Sequence, residues 1–223
     1  MHKYVSLLKE LFEKNANPAN AAPMKKYMRD QFEYLGIKTP ERKALLKEFI
    51  TEHGLPPLKD LDRIACDLWS LPQREYQYTA VSLLSKMEKR LEADFMPTIE
   101  LLITHKSWWD TVDSIAGDIV GAQFKRHPKA KTKYLKKWRK SDNFWLRRTT
   151  LLFQLGYKAE TDFDLLCEII EENLGSDEFF INKAIGWALR QYAWINPKAV
   201  QAYVKATKEL NPLSRREALK NVG

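Results

Sequence analysis

The chain has 223 residues, 44% of them hydrophobic, and only eight glycines, a composition that excludes a disordered protein and favours helix over strand. Two isolated cysteines exclude a disulfide framework and indicate a reducing environment. Without an apolar run near the ~18 residues of a membrane span, or a recognisable signal peptide, we expect no membrane partner. The net charge is +8, which a nucleic acid or another polyanion would complement.

Helical periodicity extends through nearly the whole chain, and no stretch alternates like a strand. Residues 1–54 fit no regular repeat, and we predict that they form irregular N-terminal capping helices. From residue 55 onward the helix breakers recur at intervals of 34 or 35 residues. One series consists of Pro72, Ser107, Ser141, Ser176 and Asn211. The alternate series consists of Asp94, Pro128, Asp162 and Pro197.

This period predicts a repeat of two helices, each of roughly 12–18 residues, throughout residues 55–223. A single helix pair cannot bury its apolar face alone and must stack on its neighbours. We therefore predict an all-α fold, an α-solenoid of five or six antiparallel helix pairs with a concave basic face, forming one domain over residues 1–223. Ser107, Ser141 and Ser176 are the predicted N-caps, because serine accepts hydrogen bonds from the free N–H groups of a helix start.

The stretch HKSWWDTVDSIAGDIVG, residues 105–121, places tryptophans beside aspartates in an otherwise basic chain. Trp109 and Asp113 are four residues apart and share one helical face. Counted from the predicted caps, Arg148 and Trp187 form another stripe on the second helices of the next two repeats. The period therefore brings four chemically active side chains to three consecutive helices that lie side by side in a solenoid.

Each of these side chains also has an ordinary structural explanation. A tryptophan usually belongs to the core, and a mid-helix carboxylate such as Asp113 more often forms a salt bridge than acts in catalysis. Trp187, however, shares its face with Lys183 and Arg190 and lies apart from the apolar face of its helix. Its indole is therefore a candidate for contact with a cation, a base or a sugar.

The positive charge is concentrated between Lys125 and Arg148. This segment contains eleven Lys or Arg and one acid, Asp142, so its net charge is +10 and the rest of the chain is slightly negative. A lysine-rich helix face is often merely solvated, but one that holds the whole charge excess indicates binding of nucleic-acid phosphates through counterion release. The lysines on this face are Lys129, Lys133, Lys136, Lys137 and Lys140.

Other chemistries find no support in the sequence. The four histidines do not pair at ligand spacing, so we predict no metal site. The chain has no glycine-rich phosphate loop, no dinucleotide fingerprint and no serine in a nucleophile elbow. We therefore predict that it uses no cofactor.

Several motifs at matching spacing resemble those of the AlkD-type DNA alkylation repair glycosylases, a family built from HEAT-like helical repeats. The resemblance covers the whole chain and is very close to the founding bacterial member. The motifs that carry it are MRDQFEYLGIKTPERK (28–43), LWSLPQREYQYTA (68–80), SWWDTVD (107–113), FWLRRTTLL (144–152) and FFINKAIGWALRQYAWINP (179–197).

The resemblance implies an enzyme that excises positively charged N3- and N7-alkylated purines, such as 3-methyladenine and 7-methylguanine, from duplex DNA. It assigns the catalytic carboxylate to Asp113, the adjacent indoles to Trp109 and Trp187, and the catalytic arginine to Arg148. Relatives of the same fold that lack some of these residues are binding proteins without glycosylase activity, so the presence of all four favours an enzyme. The predicted DNA-binding residues are Tyr27, Lys133, Lys136, Lys137, Lys140, Arg147 and Arg190.

The chemistry of such a substrate explains these residue types. A cationic purine leaves as a neutral base, so the oxocarbenium-like sugar is the group that a fixed carboxylate stabilises, while Arg148 and the lysine face would hold phosphates. No lysine has the context of a Schiff-base nucleophile, which predicts a monofunctional enzyme. We also expect a monomer in the cytoplasm, associated with a bacterial nucleoid. The alternative is a non-catalytic helical-repeat protein that binds a DNA structure or RNA.

Overall fold

The computed structural model describes residues 1–220 and Val222, and within this part of the chain the regular elements are helices, with one isolated bridge between Glu33 and Gln73. The predicted all-α class is confirmed. None of the described helices is long and apolar enough to cross a membrane. The chain divides into two compact units, Met1–Leu91 and Glu92–Gly223. The sequence analysis predicted a different boundary, at residue 54, between the capping helices and the regular repeats. The single domain over residues 1–223 stays a prediction.

In the first unit, a buried carboxylate organises the longest connection between helices. Glu75 accepts backbone N–H bonds from Leu35, Gly36 and Ile37 at 3.1, 2.9 and 3.1 Å. Burial raises the pKa of Glu75, although these three hydrogen bonds act in the opposite direction. The helices of this unit are α1 (Lys3–Lys14), α2 (Pro18–Tyr27), α3 (Thr39–His53), α4 (Leu61–Ser70) and α5 (Arg74–Met87), with 3₁₀ turns at Leu58–Asp60 and Glu88–Arg90.

The second unit repeats a helix pair. Its second helices begin at Trp109, Phe144 and Phe179, which are 35 residues apart, so the predicted period is confirmed here. The helices are α6 (Met96–Thr104), α7 (Trp109–Ser114), α8 (Gly121–Arg126), α9 (Pro128–Trp138), α10 (Phe144–Leu152), α11 (Phe163–Glu171), α12 (Phe179–Ala193), α13 (Pro197–Ala206) and α14 (Pro212–Ala218). A π-helical stretch, Ile115–Val120, joins α7 to α8, and 3₁₀ turns lie at Ala93–Phe95 and Lys158–Glu160.

The first helices of these pairs, α6, α9, α11 and α13, form one row. The Nε1 of Trp138, at the end of α9, donates to Glu100 of α6 at 2.8 Å. Arg139, the next residue, binds Glu172 at the end of α11 through Nε at 2.7 Å. These contacts place α9 between α6 and α11, and we call α6, α9, α11 and α13 the first-helix row.

The second helices, α7–α8, α10, α12 and α14, form the other row, which we call the second-helix row. Helices α12 and α14 approach each other closely, since a Cβ on Gly186 would lie 2.5 Å from Cβ of Glu217 and 2.9 Å from the carbonyl oxygen of Ser214. The hydroxyl of Ser214 also donates to the carbonyl oxygen of Asn182 at 2.7 Å. Gly186 therefore lets α14 pack directly on α12.

Some of the helices are shorter than the sequence predicted. Helices α10 and α11 have nine residues each. Helix α11 is followed within four residues by Gly175, whose φ of 76° belongs to the left-handed region and prevents the helix from continuing. Turn residues between the breakers therefore occupy more of each repeat than the apolar periodicity indicated.

The predicted serine caps are wrong by one or two residues. The N-caps of α7, α10 and α12 are Trp108, Asn143 and Glu178. Ser141 and Ser176 each accept a hydrogen bond at 3.2 Å from the backbone N–H two residues later, which turns the chain into the helix. Ser107 instead donates to the carbonyl oxygen of Ile103 at the end of the preceding helix.

Candidate active site

The four side chains selected by the helical period converge in the second unit. Trp109 and Asp113 of α7, Arg148 of α10 and Trp187 of α12 line one cavity of about 380 Å³ on the second-helix row. We call it the cationic cavity because two further basic side chains line it. The remaining lining residues are Phe179, Phe180, Lys183 and Arg190.

Asp113 and Arg148 form a two-point ion pair. Nε of Arg148 lies 2.7 Å from Oδ1 of Asp113, and Nη2 lies 2.9 Å from Oδ2. The remaining terminal nitrogen, Nη1, donates to the carbonyl oxygen of Phe180. Only 3% of the Arg148 side chain and 12% of the Asp113 side chain are exposed. Because a bidentate contact fixes direction as well as distance, the carboxylate has one defined orientation in the cavity wall.

Burial and the ion pair shift the pKa of Asp113 in opposite directions. Desolvation is the larger effect and raises the pKa of the carboxyl, while the hydrogen bonds and the charge of Arg148 lower it. The nearby Asp110 carboxylate raises it slightly further. A carboxylate in this poorly solvated position interacts more strongly with a positive charge than an exposed one does.

Arg148 therefore binds the carboxylate of Asp113, and not a DNA phosphate as the sequence analysis predicted. Its three guanidinium nitrogens bind Asp113 and the backbone of Phe180, and its side chain is almost fully buried. The residue that the sequence grouped with phosphate ligands is thus the one that holds the carboxylate.

The half-buried cations of the cavity, Lys183 and Arg190, belong to α12. Lys183, Trp187 and Arg190 follow one another at helical spacing, so the indole lies between an ammonium and a guanidinium on one face. Glu217 of α14 holds both cations: its Oε1 lies 2.9 Å from Nζ of Lys183, and its Oε2 lies 2.7 Å from Nη1 of Arg190. Lys220 also binds it, at 2.7 Å.

Glu217 is itself almost inaccessible, with 4% of its side chain exposed. The hydrogen bond from Lys220, followed by that from Lys183, lowers the pKa of Glu217 to about 2. One ionised carboxylate thus serves three cations, which leaves the cluster positively charged beside the cavity. Long, flexible lysine and arginine side chains are thereby held in place before any ligand binds.

A second cavity of about 360 Å³ adjoins the first, and Asp113 and Trp187 belong to both walls. We call it the glycine cavity. Its other lining residues are Ser114, Gly117, Asp118, Leu155, Gly156 and Gln191. None of these is basic, in contrast to the cationic cavity.

The lysine face, formed by α9 and by Lys140 in the turn just after it, lies elsewhere. Lys133, Lys136, Lys137 and Lys140 are exposed on the first-helix row, whereas both cavities lie on the second-helix row. Three cations of the basic segment outside this set of four also bind acids of neighbouring elements: Lys125 pairs with Glu160, Arg139 with Glu168 and Glu172, and Arg148 with Asp113. Lys137 is bound to Glu100 at 2.5 Å. The segment is therefore less positive in the fold than in the sequence.

The remaining predicted DNA-binding residues are dispersed. Arg190 lines the cationic cavity, but Arg147 donates to the carbonyl oxygen of Ser141 at 2.6 Å, at the start of its own helix. Tyr27 is the last residue of α2 in the first unit, and 73% of it is exposed. The structure thus brings one of these three residues together with the four predicted catalytic side chains.

The sequence analysis did not select two residues that belong to the candidate site. Lys183 was placed on the same helix face as Trp187 but was given no role. A signal was present, because Lys183 follows Arg148 by 35 residues, the same spacing that separates Arg148 from Asp113. Glu217 gave no signal, because its two partners at the cavity come from another helix. Among the described residues no group of three or more His, Cys, Asp or Glu could hold a metal ion.

Comparison with known proteins agrees with this architecture. A family model described as "DNA alkylation repair enzyme" matches residues 8–222. The solved structure of a predicted DNA alkylation repair enzyme from Enterococcus faecalis is 35% identical, with a TM-score of 0.86, and the match covers 93% of this chain and 97% of that one. The crystal structure of smu.31 from Streptococcus mutans UA159 is 17% identical, with a TM-score of 0.60 over 82% and 98% of the two chains, and is similar in fold alone. No curated protein matches the sequence. The chain belongs to the DNA alkylation repair enzyme family.

Proposed function

We propose that this protein is a DNA glycosylase of the AlkD type, which hydrolyses the N-glycosidic bond of cationic N3- and N7-alkylated purines in duplex DNA. The observation that carries the proposal is the buried Asp113 carboxylate, fixed by Arg148 in the wall of a cavity that also presents Trp109 and Trp187. Membership of a DNA alkylation repair family supports a substrate of this class. 3-Methyladenine and 7-methylguanine are the proposed leaving bases.

The proposed reaction needs stabilisation of a sugar cation. When the bond between C1′ and the purine nitrogen breaks, its electron pair goes to the base, which leaves uncharged, and positive charge develops on the deoxyribose. The carboxylate of Asp113 stabilises that charge, and each ~1.4 kcal/mol of such stabilisation raises the rate about tenfold. A water molecule then adds to C1′, and its proton passes to Asp113 or to solvent.

The other cavity residues have complementary roles. The faces of Trp109 and Trp187 attract a cationic sugar or base and pack against its apolar surface. Lys183 and Arg190 bind the adjacent phosphates, for which Glu217 positions them. Arg148 acts through Asp113, as a residue that positions and charges the carboxylate.

The lysines of α9 enter the proposal differently. Lys133, Lys136, Lys137 and Lys140 raise the potential around the protein and attract DNA over a distance of about one Debye length, ~10 Å at 0.1 M salt. We keep Tyr27 and Arg147 as proposed contacts to duplex DNA outside the cavity. We further propose a monomer that acts in the cytoplasm, where the DNA of a bacterium lies.

The deciding experiment measures base release from a duplex that contains 7-methylguanine at one position. We expect the wild-type protein to release the free base, and Asp113→Asn to lose at least two orders of magnitude in rate while it still binds the duplex. Asp110→Asn is the matched control, because it removes a neighbouring acid that does not line the cavity. Equal rates for Asp113→Asn and wild type would remove the role of the carboxylate. Binding without release by the wild type would favour the non-catalytic alternative.

A further inference from the structure

Glycine has a structural reason at most of its described positions. Either φ lies in the left-handed region, or neighbouring atoms leave no room for a Cβ within van der Waals distance. The glycines explained in this way are Gly36, Gly54, Gly121, Gly175 and Gly186.

Gly117 and Gly156 have neither reason. Their φ values are outside the left-handed region, and a Cβ on either would meet no heavy atom within 4 Å. Gly117 lies inside the continuous helix from α7 to α8, where glycine is less favourable than alanine by about 1 kcal/mol. Both residues line the glycine cavity. The fold itself therefore has no need of glycine at these two positions. A larger side chain at either position would, however, take up part of the open cavity.

The two cavities differ in charge. The cationic cavity presents Lys183 and Arg190 and suits a phosphate, whereas the glycine cavity presents Asp113 and Asp118 and no basic side chain, so it repels one. Because Asp113 and Trp187 belong to both walls, one ligand can occupy both cavities at once. Such a ligand has an anionic part and, beside it, an uncharged part that approaches the protein backbone closely.

We propose that the glycine cavity binds the deoxyribose next to the reacting sugar on the same DNA strand. This inference rests on the proposed function and adds a binding subsite to it. The reacting sugar lies at Asp113 and Trp187, the phosphates on one side of it lie at Lys183 and Arg190, and the neighbouring sugar on the other side lies against Gly117 and Gly156. The phosphate that joins the two sugars lies outside the glycine cavity. With no side chain at the two glycines, the edge of the sugar ring reaches the backbone.

A sugar suits this cavity better than a base does. Reading the edge of a base requires donors and acceptors that are held in place. Asp113 is held in place but serves the reacting sugar in this arrangement, and Asp118 and Gln191 are exposed side chains. The charge of Asp118 has another use in this arrangement. It keeps phosphates out of the cavity and so allows only one register of the strand along the site.

Filling the cavity tests this subsite. We expect Gly117→Leu and Gly156→Leu to keep the melting temperature within a few degrees of wild type, because each side chain enters open space, and to lower single-turnover base release about tenfold or more. Ala202→Leu, on the exposed face of α13, is the control for added bulk. Wild-type rates in both cavity variants would overturn the inference and leave the proposed function intact, whereas a wild type without base release would contradict the proposed function.

Modified DNA identifies the occupant. A 2′-O-methyl group on the nucleotide next to the lesion should slow the wild type on one side of the lesion only, and should slow Gly117→Leu no further. The same 2′-O-methyl group should weaken binding of the wild type to a duplex with a stable abasic analogue, again on one side only, and should weaken binding of Gly117→Leu no further. This measurement does not depend on catalysis. The opposite result is that the effect of Gly117→Leu grows with the size of the alkyl group on the lesion base and does not depend on modification of the neighbouring sugar. In that case the occupant is the base and the inference is wrong.

The register function of Asp118 has its own test. Asp118→Asn should bind unmodified duplex DNA severalfold more tightly at low salt, and the difference should shrink as salt screens the repulsion. Asp164→Asn, which removes an exposed acid of the first-helix row, is the control. An affinity of Asp118→Asn equal to wild type at low salt would contradict the exclusion of phosphate.

Discussion

Arg148 binds both carboxylate oxygens of Asp113, at 2.7 and 2.9 Å, and is itself almost completely buried behind it. A ligand in the cavity therefore meets a carboxylate whose counterion is already bound in the same wall. The counterion lowers the pKa of a desolvated acid and so favours the ionised form, and it also orients the carboxylate; the ionised form is the one that stabilises a neighbouring cation.

The first prediction concerns pH. Burial raises the pKa of Asp113, and the proposed reaction uses the ionised form, so base release should fall as pH decreases through that raised pKa. Arg148→Lys keeps a positive charge but loses the two-point hydrogen bond that lowers the pKa of Asp113, so its acid limb should move to higher pH. Single-turnover rates at several pH values measure both limbs, and circular dichroism at each pH confirms the fold. An acid limb that Arg148→Lys leaves unmoved would contradict this assignment.

The second prediction concerns stability. The pKa of Glu217 is lowered to about 2, so its contribution is present above the pKa of an unfolded glutamate and is lost as pH falls from about 4.5 to about 2. Lys183 and Lys220 are partly exposed, which screens them and limits the effect to the order of 2 kcal/mol. Glu217→Gln should be less stable than wild type by that order at pH 7, and the difference should disappear near pH 2. Urea unfolding at both pH values measures it; a constant difference would contradict the lowered pKa.

The third prediction separates the two sets of cations. Replacing Lys183 and Arg190 by Gln should reduce the slope of log affinity against log salt by about 2, because each phosphate contact contributes ~0.9. Replacing Lys133, Lys136, Lys137 and Lys140 by Gln should flatten the slope by less per residue, since these lysines lie on the first-helix row. Fluorescence anisotropy with one duplex over a salt series compares the two variants. A larger reduction per residue for the α9 set would assign the phosphate contacts to α9.

The fourth prediction concerns the packing of α14 on α12. A Cβ on Gly186 would overlap with Glu217 and with the backbone of Ser214, so Gly186→Ala should destabilise the protein by about 1–3 kcal/mol. Gly117→Ala is the matched control, because it puts the same methyl group into open space in a helix and should gain up to ~1 kcal/mol. Chemical denaturation of both variants tests the pair. Equal stabilities would contradict the close approach of the two helices.

The fifth prediction concerns the fate of the sugar. Lys183 is the only lysine among the lining residues of the two cavities, and its ammonium is bound to Glu217, a state that is unsuited to nucleophilic attack. Borohydride should therefore trap no covalent complex between the protein and DNA during base release. A trapped complex that Lys183→Ala abolishes would show a lyase step and contradict the monofunctional enzyme.

Sequence periodicity placed the four candidate residues on neighbouring helices, and the family resemblance gave them roles. The spacing of the breakers selected Trp109, Asp113, Arg148 and Trp187 on three helices, and the structure brings all four to one cavity. Helix caps were less predictable, because a serine can form a turn before the helix as readily as it caps the first residue. Ser141 illustrates this, since it accepts from the N–H of the true cap residue.

The row to which the lysines belong was also readable from the sequence. Pro128 begins the alternate series of helices, so the lysine face that follows it belongs to the first-helix row, while the four site residues belong to the second helices. The number of charges in the segment does not by itself show which of the two rows the lysines belong to. The Glu217 cluster was out of reach, because it depends on how closely α14 approaches α12, and that distance is set by Gly186 and not by any periodic pattern.

The 35-residue spacing has a consequence for how such a site arises. Asp113, Arg148 and Lys183 are each the fifth residue of a second helix in three successive repeats, and Glu217 stands one residue further along in the fourth. An acid and two bases thus occupy equivalent positions in one column, and the acid that follows them lies one position away. The backbone of the repeat provides the same geometry each time, and only the side chain differs. A row of structural copies thus acquires a candidate site by point substitutions in a single column, with no new loop or domain.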